Sequence, residues 1–161
     1  DVYVYLYEKW GLNVFQNIAN SEQTHTDSVK TLLDRYGLSD PSAGMAAGKF
    51  TNATLQDLYN KLVAQGSKSL ADALKVGAAV EEIDILDLQE EAALTKRADI
   101  LLVYNNLETG SRNHLRSFTQ TLKTQTGEVY QPQYLTADAY KAIVSTTIET
   151  GNGKGGRNGR P

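Results

Sequence analysis

The chain has no cysteine among its 161 residues, which excludes disulfide bonds, thiolate metal ligands and thiol catalysis. It also lacks any apolar run close to the roughly 20 residues that a membrane-spanning helix needs, so we expect no membrane span. A chain of this length can still bury a core without cross-links or a structural metal. Stability therefore does not require a metal or any other ionic site inside the fold, and the burial of an ionisable group calls for another explanation.

Clustered positive charge is absent as well. The chain has 16 lysines and arginines against 19 aspartates and glutamates, for a net charge of −3. Its most basic stretch contains only Lys154, Arg157 and Arg160. Because nucleic-acid binding depends on many basic groups that neutralise phosphates, we expect no nucleic-acid partner.

What the sequence does contain is helical periodicity. Apolar residues recur at three- and four-residue spacing and predict an all-α fold. Gly11 and Gly37 are expected to end the first two helices, and Asn13, Ser69 and Thr136 to begin later ones. The predicted helices cover residues 1–10, 13–36, 54–64, 70–95 and 98–124, with a last helix after residue 136.

Three of the long predicted helices carry polar groups on their apolar stripes, where the core is expected. Glu82 and Arg112, by contrast, are predicted to face solvent. Both histidines of the chain belong to the inward set, which comprises Glu22 and His25 on the second helix, Glu81 and Asp84 on the fourth, and Ser111 and His114 on the fifth.

These polar groups are predicted to meet at one depth. If residues 70–95 and 98–124 form antiparallel helices around Lys96, then Glu81 and Ser111 both lie about 22 Å from the turn. Asp84 and His114 would lie on either side of that level. Carboxylate and imidazole ligands together suit iron, manganese or zinc, so the first hypothesis is a transition-metal site. The alternative is a buried hydrogen-bonded cluster without metal.

Residues 151–161 differ in composition from the rest, because they are rich in glycine and carry no apolar side chain apart from Pro161. We therefore predict a helical domain over residues 1–150 and a C-terminal tail over residues 151–161. A second hypothesis is a self-assembling extracellular filament subunit with a degenerate metal site. In it, the tail and the first helix would join copies into a homo-oligomer or polymer.

Several long motifs resemble a known family, the domain of unknown function 2202. The similarity covers residues 1 to about 145. The motifs are Asp-Val-Tyr at 1–3, Leu-Tyr-Glu-Lys-Trp-Gly at 6–11, Ser-Glu-Gln-Thr-His at 21–25, Leu-Leu-Asp-Arg-Tyr-Gly-Leu at 32–38, Val-Gly-Ala-Ala-Val-Glu-Glu-Ile-Asp-Ile-Leu-Asp-Leu at 76–88 and Gly-Ser-Arg-Asn-His-Leu-Arg at 110–116.

The resemblance implies a ferritin-like four-helix bundle, made of two helical hairpins with a crossover plus short accessory helices. It also implies an exported archaeal or bacterial protein, extracellular or on the cell surface, that binds iron or another transition metal. Such a protein could have a redox, di-metal oxidase or peroxidase, or metal-handling role. Carried over by residue, Glu22 and His25 match a Glu-x-x-His motif, and Glu81 and His114 match further ligands. Ser111 stands where a complete site would have glutamate.

Overall fold

The computed structural model describes residues 1–150, which form six helices and no strand. The prediction of an all-α fold is therefore confirmed for this part of the chain. None of the described helices is both long and apolar enough to cross a membrane. The predicted tail, residues 151–161, lies outside the described residues. The helices are α1 (Val2–Trp10), α2 (Asn13–Tyr36), α3 (Ala53–Gly66), α4 (Leu70–Leu94), α5 (Ala98–Thr126) and α6 (Ala137–Val144).

The helix ends follow local sequence signals. Gly11 and Gly37 both adopt a left-handed conformation with φ of 65°, which L side chains rarely tolerate, and they end α1 and α2. The side chains of Ser69 and Thr136 cap α4 and α6 as predicted. The prediction for Asn13 was wrong: Leu12 is the N-cap of α2 and Asn13 is already inside the helix.

The core lies where α4 and α5 pack along each other, with α1 and α2 on one side and α3 against α4. Its apolar centre includes Leu6, Phe15 and Phe118, all fully buried. Gly77 leaves room for the ring of Phe118, because a Cβ at this position would lie 2.6 Å from that ring. The close approach brings α5 near α4 one helical turn before Glu81. It therefore determines how far apart the polar groups of these two helices lie.

The sequence prediction for Glu82 is wrong. It was expected to face solvent, yet it is fully buried. Its Oε2 accepts three backbone hydrogen bonds, from the N–H groups of Gln133, Tyr134 and Leu135 at 3.0, 2.6 and 2.9 Å. The chain after α5 returns across the second side of α4, so this helix is covered on both sides. A carboxylate on that side acts as an anchor for the returning segment.

Arg112 also lies in a different environment from the expected one. Its side chain is only partly exposed and forms ion pairs with Glu108 and Glu149, both at 2.6 Å. Arg116 contacts the same Glu149 carboxylate at 2.5 Å. These pairs fasten the segment after α6 onto α5. Arg112 therefore does not neutralise the carboxylates predicted to lie inside the fold.

Candidate metal centre

Three helices bring ligand-type side chains together inside the fold. Glu22 comes from α2, Glu81 from α4 and His114 from α5. One ligand atom from each residue can be chosen so that all three lie within 4.8 Å of one another. Glu81 is fully buried and His114 is 8% exposed, whereas the Glu22 side chain is 31% exposed. The group thus lies at the inner end of an opening rather than on the surface.

The distances within this group resemble those between ligands of a single ion. His114 Nδ1 is 2.9 Å from Glu22 Oε1 and 3.5 Å from Glu81 Oε1. Two donor atoms that each lie about 2.1 Å from a metal are about 3.0 Å apart in octahedral geometry and about 3.4 Å apart in tetrahedral geometry. The two separations fit donor atoms of one ion, although 2.9 Å is also the distance of a direct ion pair between an imidazolium and a carboxylate.

The buried atoms of the group also lack other partners. Glu22 Oε1, Glu81 Oε2 and His114 Nδ1 are buried and make no hydrogen bond within the described part of the chain. Glu22 and His114 are close enough for an ion pair, but their atoms are not aligned for a hydrogen bond. Buried polar atoms are nearly always satisfied in folded proteins. When His114 is protonated it pairs with Glu22, and a metal ion could take the place of that proton while also meeting Glu81.

Two residues that the sequence did not single out orient these ligands. Ser21 Oγ is 2.9 Å from His114 Nε2, which turns Nδ1 of the ring toward the two carboxylates. The hydroxyl of Tyr3 donates a 2.6 Å hydrogen bond to Glu81 Oε1. Such contacts fix the orientation of metal ligands in many sites. Only the position of Ser21 next to Glu22 and of Tyr3 on the buried side of α1 could have indicated these roles.

His25 lies beside the group and shares one ligand with it. Its Nδ1 is 3.0 Å from Glu22 Oε2, so the two oxygens of Glu22 face two different histidines. The His25 ring rests on the backbone of α5 at Gly110, where a Cβ would lie 2.5 Å from the ring. The lack of a side chain at Gly110 therefore determines where His25 can lie.

Asp84 and Ser111 lie further out, in an opening between α2 and α4 with a volume of about 500 Å³. We call this opening the acidic groove. Asp84, Asp87 and Glu91 line it on α4, and Val29, Leu33 and Leu107 form its apolar wall. Its inner end is formed by Glu22, His25, Asp84 and Ser111. The structure therefore brings Glu22, Glu81 and His114 together and places His25, Asp84 and Ser111 around them.

The charges at the site depend on burial and on neighbours. Burial opposes ionisation of Glu22, but its contacts with His114 and His25 outweigh this and lower its pKa to about 2. Burial likewise opposes protonation of His114, yet Glu22 and Glu81 raise its pKa to about 9. Burial raises the pKa of Glu81. Burial and the charges of Glu81 and Glu22 raise the pKa of Asp84 to about 8. Without a metal, a proton on His114 therefore compensates the Glu22 charge near neutral pH.

The fold and this site define a class: an all-α protein in which a buried group of two glutamates and one histidine could hold a metal ion. The chain belongs to the family described as uncharacterized protein domain DUF2202, which matches residues 1–147. The family prediction is thereby confirmed.

A relative and a solved structure agree with this assignment. The uncharacterized protein MJ0754 of Methanocaldococcus jannaschii is 48% identical over 151 residues, which cover 94% of this chain and 81% of that protein. The crystal structure of hypothetical protein MJ0754 from Methanococcus jannaschii superposes with a TM-score of 0.89 at 48% identity, covering 92% of this chain and 84% of that one. The chain thus shares its fold with this solved structure.

Proposed function

We propose that this protein binds a transition metal ion between α2, α4 and α5, with Glu22, Glu81 and His114 as ligands. The observation that carries the proposal is the convergence of three ligand residues, each of which has a buried oxygen or nitrogen without a hydrogen-bond partner in residues 1–150. A purely hydrogen-bonded cluster would have paired these atoms, because an unpartnered buried polar group is costly. An ion between the three side chains would meet Glu22 Oε1, His114 Nδ1 and one oxygen of Glu81.

The ligand chemistry favours iron, manganese or zinc. Two carboxylates and one imidazole are hard to borderline donors, which suit these ions, and the chain offers no thiolate to a softer one. His25 and Asp84 are further ligands that could complete the coordination or hold a second ion beside Glu22. Ser111 contributes only a hydroxyl where a third inner glutamate would complete a symmetric pair of sites.

The ferritin-like arrangement belongs to this proposal as well. Two long hairpins with ligands on facing helices are the architecture in which carboxylate-bridged metal centres are built. We place the protein outside the cell or on its surface, as the family resemblance implies, with a redox or metal-handling role. An oxidase or peroxidase reaction would require an open coordination position, and the acidic groove, which Glu22 and His25 line, would give a substrate access to the ion.

Titration calorimetry with Mn²⁺ and Zn²⁺ tests the proposal. Glu81→Gln and His114→Ala should each weaken binding at least tenfold, since each removes one of three ligands. Glu90→Gln is the matched control, because it removes a carboxylate from an exposed position on α4, the helix that carries Glu81. This variant should bind metal like the unaltered protein. Equal affinities for all four proteins would overturn the proposal in favour of a metal-free cluster.

The hypothesis of an extracellular filament subunit remains a separate proposal. It relies on residues 151–161, which lie outside the described residues, and on the first helix. Deletion of residues 151–161 should abolish any homo-oligomer or polymer seen by size-exclusion chromatography or electron microscopy if the tail joins the copies. Unchanged assembly after the deletion would exclude the tail from that role.

A further inference from the structure

The acidic groove extends well beyond the candidate metal centre. α2 packs against α1 and α5, and α4 packs against α5, so the groove runs between the facing sides of α2 and α4. On α2 its lining begins at Glu22 and ends at Leu33, which corresponds to about 16 Å of helix. Its volume of about 500 Å³ falls within the usual range of small-molecule sites. A single metal ion would leave most of it unfilled.

The carboxyl groups of the groove are arranged in a row. Asp84, whose pKa is raised to about 8, keeps its proton near neutral pH, so Asp87 and Glu91 supply the negative charge. Asp84, Asp87 and Glu91 line the groove from one side of α4 at spacings of three and four residues, or about 4.5 and 6 Å along the helix axis. Lys30, the only lysine or arginine among the lining residues, contacts Asp40 at 3.6 Å and is therefore already paired. The groove thus favours cations and disfavours anions.

The opposite wall of the groove is apolar. Val29 and Leu33 of α2 and Leu107 of α5 face the space beside the carboxylate row, and Tyr104 adds an aromatic side chain. An inorganic cation would gain nothing from this wall, whereas a molecule with methylene segments would bury apolar surface against it. The occupant should therefore combine positive charge with an aliphatic body.

A buried hydroxyl marks the inner end of the groove. Ser111 is only 2% exposed and lines the groove, yet its hydroxyl takes part in none of the side-chain hydrogen bonds formed among residues 1–150. Because Ser111 lines the groove, its hydroxyl is placed to meet a polar group of a bound molecule, and a hydrogen-bond donor at that point could contact Ser111 and Asp84 together.

We propose that the acidic groove binds a linear aliphatic polyamine. Runs of three or four methylene groups separate the amines of such molecules at intervals close to the spacing of the carboxylate row. The ammonium groups would pair with Asp87 and Glu91, the methylene segments would pack on Val29, Leu33 and Leu107, and a terminal amine would reach Ser111. The proposal does not depend on the metal function, because the ammonium contacts at Asp87 and Glu91 do not involve Glu22, Glu81 or His114.

Calorimetric titration with spermidine tests this proposal, with Glu91→Gln compared against Glu90→Gln. These neighbouring exposed glutamates make a matched pair, because only Glu91 lines the groove. We expect saturable one-to-one binding, a loss of about threefold for Glu91→Gln, a larger loss for the double variant Asp87→Asn with Glu91→Gln, and no change for Glu90→Gln. Binding should weaken as salt concentration rises.

Three comparisons decide the outcome. Hexane-1,6-diol, which lacks charge, and Mg²⁺ at matched ionic strength, which lacks an aliphatic body, should each fail to displace spermidine. His114→Ala should still bind spermidine, which separates this test from that of the metal site. The absence of saturable binding, equal losses for the two glutamine variants, or full displacement by Mg²⁺ would each overturn the proposal.

Discussion

The hydroxyl of Tyr3 donates a 2.6 Å hydrogen bond to Glu81 Oε1, joining α1 to α4 across 78 residues of sequence. Both side chains are buried, and the bond engages one carboxylate oxygen while Oε2 of Glu81 stays free. A short first helix thereby orients a ligand on a long central one. Burial and the Glu81 charge also raise the pKa of Tyr3 well above its ordinary value, so the phenol keeps its proton.

The first prediction follows from this bond. Tyr3→Phe should reduce metal affinity about tenfold, because Glu81 loses the contact that orients it. The free energy of unfolding should fall by about 1 kcal/mol from the lost hydrogen bond. Tyr5→Phe, on the same helix as Tyr3, is the control: the Tyr5 hydroxyl lies 3.0 Å from Oγ of Ser67 at the end of α3, away from the site. That control should lose stability without losing metal affinity, and an equal affinity loss in both variants would contradict the orienting role.

The second prediction concerns Gly110. Gly110→Ala should weaken metal binding, since the added Cβ would lie 2.5 Å from the His25 ring and push it away from Glu22. Alanine is otherwise a better helix former than glycine by about 1 kcal/mol. In a His25→Ala background the same exchange should therefore be neutral or stabilising. A double-mutant cycle of Gly110→Ala and His25→Ala, measured by calorimetry and thermal unfolding, separates the two effects. Strictly additive changes would show that the added Cβ does not clash with the His25 ring.

The third prediction concerns the Glu82 anchor. Glu82→Ala should lower the free energy of unfolding by about 2–4 kcal/mol, because three backbone N–H groups would lose a charged acceptor. Hydrogen exchange should increase at residues 133–135. Glu90→Ala, on the exposed side of α4, should change stability by less than about 0.5 kcal/mol. If denaturant titration gives the same small change for both, the anchor has no energetic role.

The fourth prediction concerns pH. In the metal-free protein the folded-state pKa of His114 is raised to about 9, so its stabilising effect is complete below the unfolded value of about 6.5 and is lost as pH rises toward 9. The pKa of Asp84 is raised to about 8, so this carboxyl also destabilises the folded state as pH rises from about 4 toward 8. The pKa of Glu22 is lowered to about 2, so the stability that this carboxylate contributes is lost only as pH falls from about 4.5 toward 2. The Tm of metal-free protein should therefore fall between pH 6.5 and 9.

Two comparisons check the pH prediction. Added Mn²⁺ or Zn²⁺ should replace the proton on His114, so metal should reverse the fall in Tm and bind more tightly as pH rises. His114→Ala should lose most of the decline between pH 6.5 and 9 in metal-free protein. A metal-free Tm that stays level or increases over this interval would contradict the pKa assignments.

Much of this fold follows from local pattern. Apolar periodicity predicted the helices because each long helix buries one continuous stripe, and it placed Glu22, Glu81 and His114 on the correct sides. Glu82 could not be predicted in this way, since its burial depends on where the segment around Tyr134 returns after α5. That return is a tertiary event with no periodic signal.

The residues that orient the ligands were also beyond the reach of the sequence. Ser21 and Tyr3 act through partners 93 and 78 residues away, and only the packing of four helices decides which side chains meet. A histidine on an apolar stripe indicates an inward direction but not which ring nitrogen faces the carboxylates. The structure supplies this detail, because Ser21 contacts Nε2 of His114 and leaves Nδ1 for a ligand bond.

The most direct measurement is an anomalous difference map from crystals of this protein soaked in Mn²⁺. We expect a peak bounded by Glu22 Oε1, Glu81 and His114 Nδ1, at about 2.0 to 2.3 Å from each ligand atom. The peak should vanish in crystals of His114→Ala. A map without density at this position under saturating Mn²⁺, with the three side chains still converged, would contradict the central claim.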